Sequence, residues 1–518
     1  MGEPIAGRVN TGVTRRRLGA ISLTAAALGA ARGRGALAGV AELPGGVGFP
    51  HSPDISSGPF DVAIIGAGIA GIAAARVCQG KANYVVIEAR NRIGGRAWSR
   101  NQFVTPVDLG AQWFQFVTPN ESGTGTNNPL FDIAVELSLK SERVRALLDL
   151  KPDLFGREYY RDGHQVPIFE PDALAVTLLL VEMQAVVDAA GKLISQGVLP
   201  DMSAAEAVFE AGLSNQKWSR FATNLLTGPH GAAADRLSVL DLYNLDRFGP
   251  EPQTPNPFNW LTRYGMGNFI TDFVARNLPV SLNTVATGVN WGDAGGVRIA
   301  TTAGTIQAKT VIVTVPVSVL AQHLSAFSPL LPPEYQDAIG ALPPGAVEKV
   351  GMQFDRNVFA DLVGKDSENT LATLLVDAPD ARFVQARLWD TTIGVCLVDG
   401  AAAQELAKQG EQALIAYGVE TVQKIFGGDP ASRLVRAAAS TWWTDPWSLG
   451  AYSYASAGDV PQRAILARPL ANQVFFAGEA ATVDRHSSLP GAWLSGKAAA
   501  ESAVAAVAAA QTSSRSFG

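Results

Sequence analysis

Three glycines, Gly66, Gly68 and Gly71, follow a short apolar run and open a stretch of helical composition. In such a strand–turn–helix, the first glycine permits the tight turn and the second lets the backbone approach a pyrophosphate. The third lets the helix pack closely on the strand, and the helix N-terminus then faces the anion. Glu88 follows 22 positions after Gly66, where a carboxylate can accept hydrogen bonds from ribose hydroxyls. An isolated glycine pattern can be an ordinary turn, but this arrangement favours a dinucleotide site.

A second turn follows Glu88 and carries the adjacent glycines Gly94 and Gly95 between Arg90 and Arg96. A flexible, cationic turn suits a phosphate or an electron-rich ring. The alternative is a solvated basic loop. Spacing alone does not distinguish an NAD site from an FAD site.

The elements that must position these residues can be predicted from the spacing of apolar residues. Asp61–Ile65 and Tyr84–Glu88 are short apolar strands on either side of a helix at Ile69–Gln79, which together make a βαβ unit. Long alanine-rich stretches at 172–194 and 201–227 predict helices. Further strands are expected within 280–315, with a hairpin turn at Gly295 and Gly296, and also at 347–354 and 382–398. Further helices are expected at 402–426 and 494–510.

The composition excludes several classes of protein. The chain has 518 residues, of which 47% are hydrophobic and 17% charged, so it can build a large core and is not a disordered protein. A net charge of −6 lacks the basic excess that is typical of proteins that bind nucleic acid. Only two cysteines, Cys78 and Cys396, are present, and the five histidines are scattered. We therefore expect no disulfide framework and no metal site.

The first 38 residues have the three parts of a signal peptide in their usual order: a basic segment, an apolar run and a cleavage site. Arg15 and Arg16 precede a weakly apolar run, Ala20–Ala31, and residues 36–38 offer a small-residue cleavage site. The run is too short to span a bilayer of roughly 30 Å as a helix, so we expect no stable membrane insertion. A disordered basic tail is the alternative, but the order resembles a twin-arginine export signal. The expected partner is the twin-arginine export machinery, the expected location is periplasmic or secreted, and 39–57 reads as a linker.

From about Asp61 to Ala503 the sequence resembles the flavin-containing amine oxidase family. Within that family it is most similar to polyamine oxidases and lysine-specific histone demethylases. The resemblance rests on the glycine motif with Glu88, on Gly94–Arg96, and on several later motifs in family order. These later motifs are Asp108–Trp113, Val311–Pro316, Phe327–Pro332, Gly345–Lys349, Asp445–Tyr454, Phe476–Glu479 and Gly491–Gly496.

The resemblance implies FAD as cofactor and assigns residues to it. Val285 would meet the adenine through its backbone, Trp442 and Trp447 would flank the ring system, and Glu479 would hold a ribityl hydroxyl. Ser488 and Leu489 would approach the flavin edge. The remaining implied FAD contacts are Gly66, Gly68, Gly71, Glu88, Arg90, Gly95, Arg96 and Gly110.

Lys349, Tyr452 and Trp447 are the implied catalytic residues. Lys349 matches the lysine that holds a water near the flavin N5, and Tyr452 matches the tyrosine that walls the substrate chamber. On residue type alone, Lys349 could be an exposed lysine of a strand, and the two aromatic residues could belong to the core. A buried lysine has a readily shifted pKa and can relay protons. Aromatic faces can border an amine.

Three positions depart from the family pattern. Ala451 stands where monoamine oxidases carry a cysteine linked to the flavin, so non-covalent FAD is expected. Ser488 replaces the second cage aromatic of that group, and Gln115 stands where plant-type polyamine oxidases place a substrate-binding acid. These differences argue against a monoamine-oxidase cage and a polyamine-type anionic tunnel.

The predicted fold class is α/β, with a discontinuous, Rossmann-like FAD-binding domain at 58–120, 262–330 and 435–510. Segments 121–261 and 331–434 would form an interleaved substrate domain of a sheet backed by helices. The implied activity is oxidation of a small primary or secondary amine to an imine, which is hydrolysed to an aldehyde plus amine or ammonia. Oxygen, giving hydrogen peroxide, or another acceptor would take the electrons.

Two alternatives stay open at this stage. One is an L-amino acid oxidase or another FAD oxidoreductase, and an amino acid oxidase would need an arginine for the substrate carboxylate. The other is a flavin-bound interaction module without turnover, which long inserted domains would favour; the sequence shows none.

Overall fold

The computed structural model describes most of the chain beyond the predicted leader. Residues 1–38 lie outside the described part, as does nearly all of the predicted linker at 39–57. The described residues are 55, 58–118, 125–153, 157–246, 259–293, 295–359, 370–376 and 382–515.

The predicted βαβ unit is present. Strand Phe60–Ile65 runs parallel to strand Tyr84–Ile87, with Ile64 paired to Val86, and helix Ile69–Cys78 connects them. Both strands are buried almost throughout, as expected for parallel strands covered on both faces.

These two strands belong to a mixed sheet of eight strands, called the first sheet. Helix Ile69–Cys78 packs on it beside the C-terminal helix Leu489–Arg515. Only a glycine allows that contact, since a Cβ at Gly496 would lie 2.0 Å from the carbonyl oxygen of Ala70. The other strands, in chain order, are Val280–Ser281, Ala286–Asp293, Gly296–Thr301, Gly304–Val313, Phe327–Ser328 and Val474–Phe476.

A second sheet has seven strands and two unlike faces. Val350 and Met352 point to a core beneath helices Gly400–Gln409 and Glu411–Phe426, while Lys349 points to the other face. The sequence predicted one helix at 402–426, but it is divided at Gly410, where φ is +97°. The strands, from one edge to the other, are Leu434–Ala439, Val347–Phe354, Ile393–Asp399, Arg382–Ala386, Thr370–Leu374, Arg157–Arg161 and His164–Val166.

A group of helices packs beside the second sheet. The predicted single helix at 201–227 is wrong, because Ala204–Glu210 and Ser219–Thr227 are separate helices. Between them Gly212 and Trp218 adopt φ values of +73° and +74°, which a continuous right-handed helix does not contain. The other helices of this group are Pro171–Ser195 and Val239–Asp246, whereas Pro129–Lys140 and Glu142–Leu148 pack on the core that holds helix Ile69–Cys78.

Helix Pro171–Ser195 is, by length and composition alone, apolar enough to cross a membrane. One side of it, including Val176, Met183 and Val187, is fully buried in the core of the helical group. Such a core helix passes the same test of composition as a membrane span.

The remaining described elements are short connections. Short strands are Ser99–Arg100, Val107–Asp108, Leu150–Pro152 and Trp260–Thr262, and short helices are Gly228–His230, Met266–Phe269, Ile270–Val274, Val317–Gln322, Leu324–Ala326, Pro333–Gly340, Leu388–Asp390, Ala431–Arg433, Gln462–Leu466 and Glu479–Ala481.

The α/β fold class predicted from the sequence is confirmed. Strands of the first sheet come from 60–87, 280–328 and 474–476, and those of the second from 157–166, 347–399 and 434–439. The chain thus returns to each sheet after leaving it. The domain boundaries given above stay a prediction.

Candidate active site

A cavity of about 1020 Å³ is lined by residues of both sheets. Every predicted site residue except Gly71 lies in its wall. The wall includes Gly66, Gly68, Glu88, Arg90, Gly95, Arg96, Gly110, Val285, Lys349, Trp442, Trp447, Tyr452, Glu479, Ser488 and Leu489.

The turn after the first strand leaves space for a ligand. Gly66 has φ of +104°, a conformation that favours glycine. A Cβ at Gly68 would meet nothing nearer than the Cα of Gly95 at 3.9 Å, so this side of the turn is open to the cavity. Gly68 is also the N-cap of helix Ile69–Cys78 and has no side chain to cap it. The first N–H groups of the helix can therefore bind an anion.

Gly71 is the one predicted site residue that the cavity wall does not include. A Cβ there would be 1.9 Å from the carbonyl oxygen of Gly66. Its missing side chain thus allows the helix to approach the strand, as the sequence pattern predicts, and its assignment to the cofactor stays a prediction.

Glu88 orders the two glycine turns as well as facing the cavity. One carboxylate oxygen accepts a hydrogen bond from the backbone N–H of Ala67 at 2.8 Å, and the other accepts one from the backbone N–H of Arg90 at 2.8 Å. Each oxygen retains capacity to accept another hydrogen bond. The carboxylate can thus still serve ribose hydroxyls.

Two arginines of the N-terminal segment bind the C-terminal segment. Arg90 makes a bidentate pair with Asp445 at 2.7 and 2.8 Å. Arg96 donates to the carbonyl oxygen of Ala451 at 2.7 Å and to the carboxylate of Glu479 at 3.3 Å. Bidentate pairs add geometric specificity as well as energy. These contacts join two segments that are distant in sequence at the wall of the same cavity.

Glu479 is buried at the centre of a polar network. Its carboxylate accepts hydrogen bonds from the hydroxyl of Ser453 at 2.7 Å and from the backbone N–H of Ser487 at 3.2 Å. Arg463, fully buried, donates to the same Ser453 hydroxyl at 2.9 Å and pairs with Asp241 at 3.0 Å. The network connects the helical group to this part of the cavity wall.

Aromatic and glycine residues shape the wall between these contacts. A Cβ at Gly110 would be 1.8 Å from the carbonyl oxygen of Arg96, so the two backbones are in close contact. Trp442 packs against this point and donates its indole N–H to the carbonyl oxygen of Leu109 at 2.9 Å. The backbone N–H of Trp447 donates to Asp445 at 2.8 Å.

Lys349 is buried in the cavity wall and held by neighbouring side chains. Its Nζ donates to the side-chain oxygen of Gln112 at 2.8 Å and lies 4.6 Å from the centre of the Trp113 ring. Burial lowers the pKa of Lys349 to about 8, against a smaller opposite effect of Asp108. Burial thus brings the pKa of this ammonium closer to neutral pH than that of an exposed lysine.

Tyr452 lies in the same wall beside the turn Gly228–Gly231. Its hydroxyl donates to the carbonyl oxygen of Pro229, and burial raises its pKa above the ordinary value. His230 follows Pro229 and also lines the cavity. The tyrosine thus presents its ring rather than its hydroxyl.

Comparison with known proteins decides the family. A sequence model described as flavin containing amine oxidoreductase matches residues 69–504. This chain belongs to that family. Probable polyamine oxidase 4 of Arabidopsis thaliana is 27% identical over 479 residues, which cover 85% of this chain and 86% of that protein. Polyamine oxidase 4 of Oryza sativa subsp. japonica is 28% identical, with 88% and 91% covered.

Two further comparisons are limited by the share of the protein that is covered or by low sequence identity. Lysine-specific histone demethylase 1 homolog 3 of Arabidopsis thaliana is 26% identical over 84% of this chain, but the match covers only 29% of that protein. The solved structure of a putrescine oxidase double mutant, made in a structure-based redesign of cofactor binding, superposes with a TM-score of 0.66. It is 19% identical and covers 86% of this chain and 99% of that one. At that identity the likeness shows the fold.

The flavin that the family implies fits the residues of this flavin-containing amine oxidoreductase. The glycine turn offers an open anion site, Glu88 has accepting capacity beside it, and the tryptophans lie in the wall of the same cavity. Ala451 also lines the cavity, whereas Cys78 and Cys396 are buried elsewhere. No described cysteine sulfur therefore faces the space that a flavin would occupy.

Sequence reasoning missed the side chains of Gln112, Gln385 and His230. Gln112 lies inside the family motif Asp108–Trp113, of which the resemblance assigns only Gly110 to the cofactor. Gln385 lies in the predicted strand region 382–398, where nothing in the pattern marks it as functional, and His230 is one of five scattered histidines. The two hydrogen bonds of Gln112 join residues 237 and 273 positions apart, which local spacing does not encode.

Proposed function

We propose that this protein is an FAD-dependent amine oxidase acting on a small primary or secondary amine. The observation that carries the proposal is the place of Lys349. It is buried in the wall of the cavity that also holds the glycine turn and Tyr452. Membership of the flavin-containing amine oxidoreductase family supports it, as do the names of the plant polyamine oxidases.

A bound flavin would supply the acceptor for the two electrons removed from the amine. The chain's own residues bind and orient. Backbone N–H groups at the start of helix Ile69–Cys78 would hold the pyrophosphate, Glu88 would accept from a ribose hydroxyl, and Glu479 would accept from a ribityl hydroxyl. In this proposal Lys349 holds a water molecule at the reacting end of the cavity and exchanges a proton with it.

The substrate would lie along the wall formed by Tyr452, Lys349 and the apolar residues Val347 and Leu397. The apolar residues of this wall favour the neutral amine over the ammonium, because desolvation penalises charge. The product imine would be hydrolysed by water to an aldehyde and an amine or ammonia. Oxygen, with formation of hydrogen peroxide, is the proposed final electron acceptor.

Export by the twin-arginine pathway is part of the proposal. Arg15 and Arg16 lie outside the described residues, so the sequence alone supports it. That pathway exports folded proteins, which suits a protein that takes up its cofactor before export.

A panel of amines and amino acids tests the proposed function. Purified holoenzyme is mixed anaerobically with each compound while flavin absorbance is followed, and peroxide is measured after oxygen is admitted. We expect at least one amine to bleach the flavin and to yield peroxide. Bleaching by L-amino acids alone would favour the amino acid oxidase alternative, and no bleaching by any amine would contradict the proposal.

A further inference from the structure

The turn that carries His230 forms part of the cavity wall. Gly228–His230 is a single turn of 3-10 helix after helix Ser219–Thr227, and it ends at Gly231 with φ of +63°. Tyr452 donates a hydrogen bond to the carbonyl oxygen of Pro229. Since both Pro229 and His230 line the cavity, the turn and the tyrosine form one continuous surface.

Close backbone packing fixes this turn against the strand that carries Lys349. The backbone N–H of Ala346 donates to the carbonyl oxygen of Gly231 at 2.9 Å. A Cβ at Gly345 would lie 2.3 Å from the carbonyl oxygen of His230, and one at Gly231 would lie 2.6 Å from the nitrogen of Ala346. Lys349 follows three residues after Ala346. The position of His230 relative to Lys349 is therefore set by the backbone.

The imidazole of His230 has hydrogen-bonding capacity to spare. Within the described part of the chain it makes no hydrogen bond and no ion pair, and it is half-buried rather than sealed in the core. Burial and the neighbouring His486 lower its pKa to about 4, against a smaller opposite effect of Asp241. At neutral pH the ring is uncharged, with one nitrogen that donates and one that accepts.

We propose that His230 is a substrate-binding residue whose neutral imidazole accepts a hydrogen bond from the unprotonated amine nitrogen. Oxidation needs the lone pair of that nitrogen to be free. An acceptor that binds an amine N–H holds the nitrogen without using its lone pair. A carboxylate in the same place would instead stabilise the ammonium. The adjacent Tyr452 ring bounds the same surface, while its own hydroxyl is engaged by Pro229.

The inference rests on the proposed function, but its test does not require turnover. tert-Octylamine has no hydrogen on the carbon that bears nitrogen, so it can bind as a primary amine without being oxidised. Its dissociation constant is measured by titrating the oxidised holoenzyme at pH 8.5 and following the flavin absorbance. His230→Leu removes both ring nitrogens, and His230→Gln retains an acceptor and a donor. His164→Leu, at an exposed histidine of strand His164–Val166, is the matched control.

We expect His230→Leu to weaken binding of tert-octylamine by about tenfold, the value of one hydrogen bond of roughly 1.4 kcal/mol. His230→Gln should remain within about threefold of the parent, and His164→Leu should match it. Equal dissociation constants for the parent and His230→Leu would overturn the inference, as would a His230→Gln variant as weak as His230→Leu. Failure of every amine to reduce the parent flavin would count against the proposed function and is observed separately.

Discussion

The side-chain oxygen of Gln112 accepts a hydrogen bond from Nζ of Lys349 at 2.8 Å, and the amide of Gln112 donates in turn to the side-chain oxygen of Gln385 at 3.0 Å. All three side chains are buried. Because an ammonium can only donate, Lys349 fixes which end of the Gln112 amide faces it, and the amide nitrogen of Gln112 is left to donate to Gln385. The two glutamines thus orient the ammonium in the cavity wall without adding a charge.

The first prediction concerns catalysis by Lys349. Lys349→Met keeps the apolar stem and similar volume, so fold and flavin spectrum should survive. Reduction of the flavin by amine, or its reoxidation by oxygen, should slow by about tenfold or more, equivalent to roughly 1.4 kcal/mol of barrier. Stopped-flow absorbance separates the two half-reactions. If both rates stay within about twofold of the parent, the lysine has no part in the chemistry.

The lowered pKa of Lys349 also predicts a pH dependence of stability. Below about pH 8 the lysine is charged in both states, and the full cost of burying the charge weakens the folded state. Between about 8 and its ordinary value of 10.5, the unfolded chain binds more protons, so stability contributed by this site rises with pH.

Lys349→Met removes that dependence. The variant should gain stability relative to the parent at pH 7, and the difference should shrink by about 2 kcal/mol toward pH 10, since one unit of pKa is about 1.4 kcal/mol. Urea unfolding of the two holoenzymes at both pH values measures it. Lys81→Met, at an exposed position, controls for the loss of any lysine. A difference that stays constant with pH would show that the charge is not buried in solution.

The sequence was sufficient for the elements whose pattern is local. The βαβ unit was predicted because a buried parallel strand and a small-residue helix each have a distinct composition. The error at 201–227 has a local cause too. Ala204–Glu210 and Ser219–Thr227 are both helical, and composition does not show the break that the positive φ values of Gly212 and Trp218 make between them. Apolar content identified the helices but not their number.

The site was predicted less from physics than from resemblance. Spacing identified an anion-binding turn at Gly66 and Gly68, but residue type alone favoured an exposed Lys349. The structure buries that lysine because its strand lies between two others in the second sheet, and its side chain packs against Gln112 and Trp113. Its partner Gln112 lies 237 residues away in sequence. No periodicity encodes such a pair.

The same substitution by alanine should weaken FAD binding at Gly68 and lower the stability of the fold at Gly71. A Cβ at Gly68 meets open space, so Gly68→Ala should fold within about 1 kcal/mol of the parent and bind FAD about tenfold or more weakly. A Cβ at Gly71 meets backbone at 1.9 Å, so Gly71→Ala should lose about 3 kcal/mol or more. Urea unfolding and flavin fluorescence titration measure the two effects. Equal losses of stability would contradict the assignment of Gly68 to the pyrophosphate.

Export predicts a separate result for the leader. Replacing Arg15 and Arg16 by lysine preserves charge but removes the paired arginines that the export receptor reads. The variant should accumulate in the cytoplasm, with flavin bound, while the parent reaches the periplasm. Cell fractionation followed by blotting measures both pools. Periplasmic accumulation of the double variant at the parent level would count against the twin-arginine pathway.

The last prediction is that FAD is held without a covalent bond. Ala451 lies in the cavity wall where a thiol would be needed, and Cys78 and Cys396 are buried outside that wall. Burial raises the pKa of both thiols to about 12, so neither is a reactive thiolate near neutral pH. Acid precipitation of the holoenzyme should therefore release all flavin into the supernatant. Ala451→Cys places a thiol in the wall and tests whether retained flavin would be detected. Yellow colour in the pellet of the parent would refute non-covalent binding, whereas retention in Ala451→Cys alone would show that the missing sulfur is the reason for release.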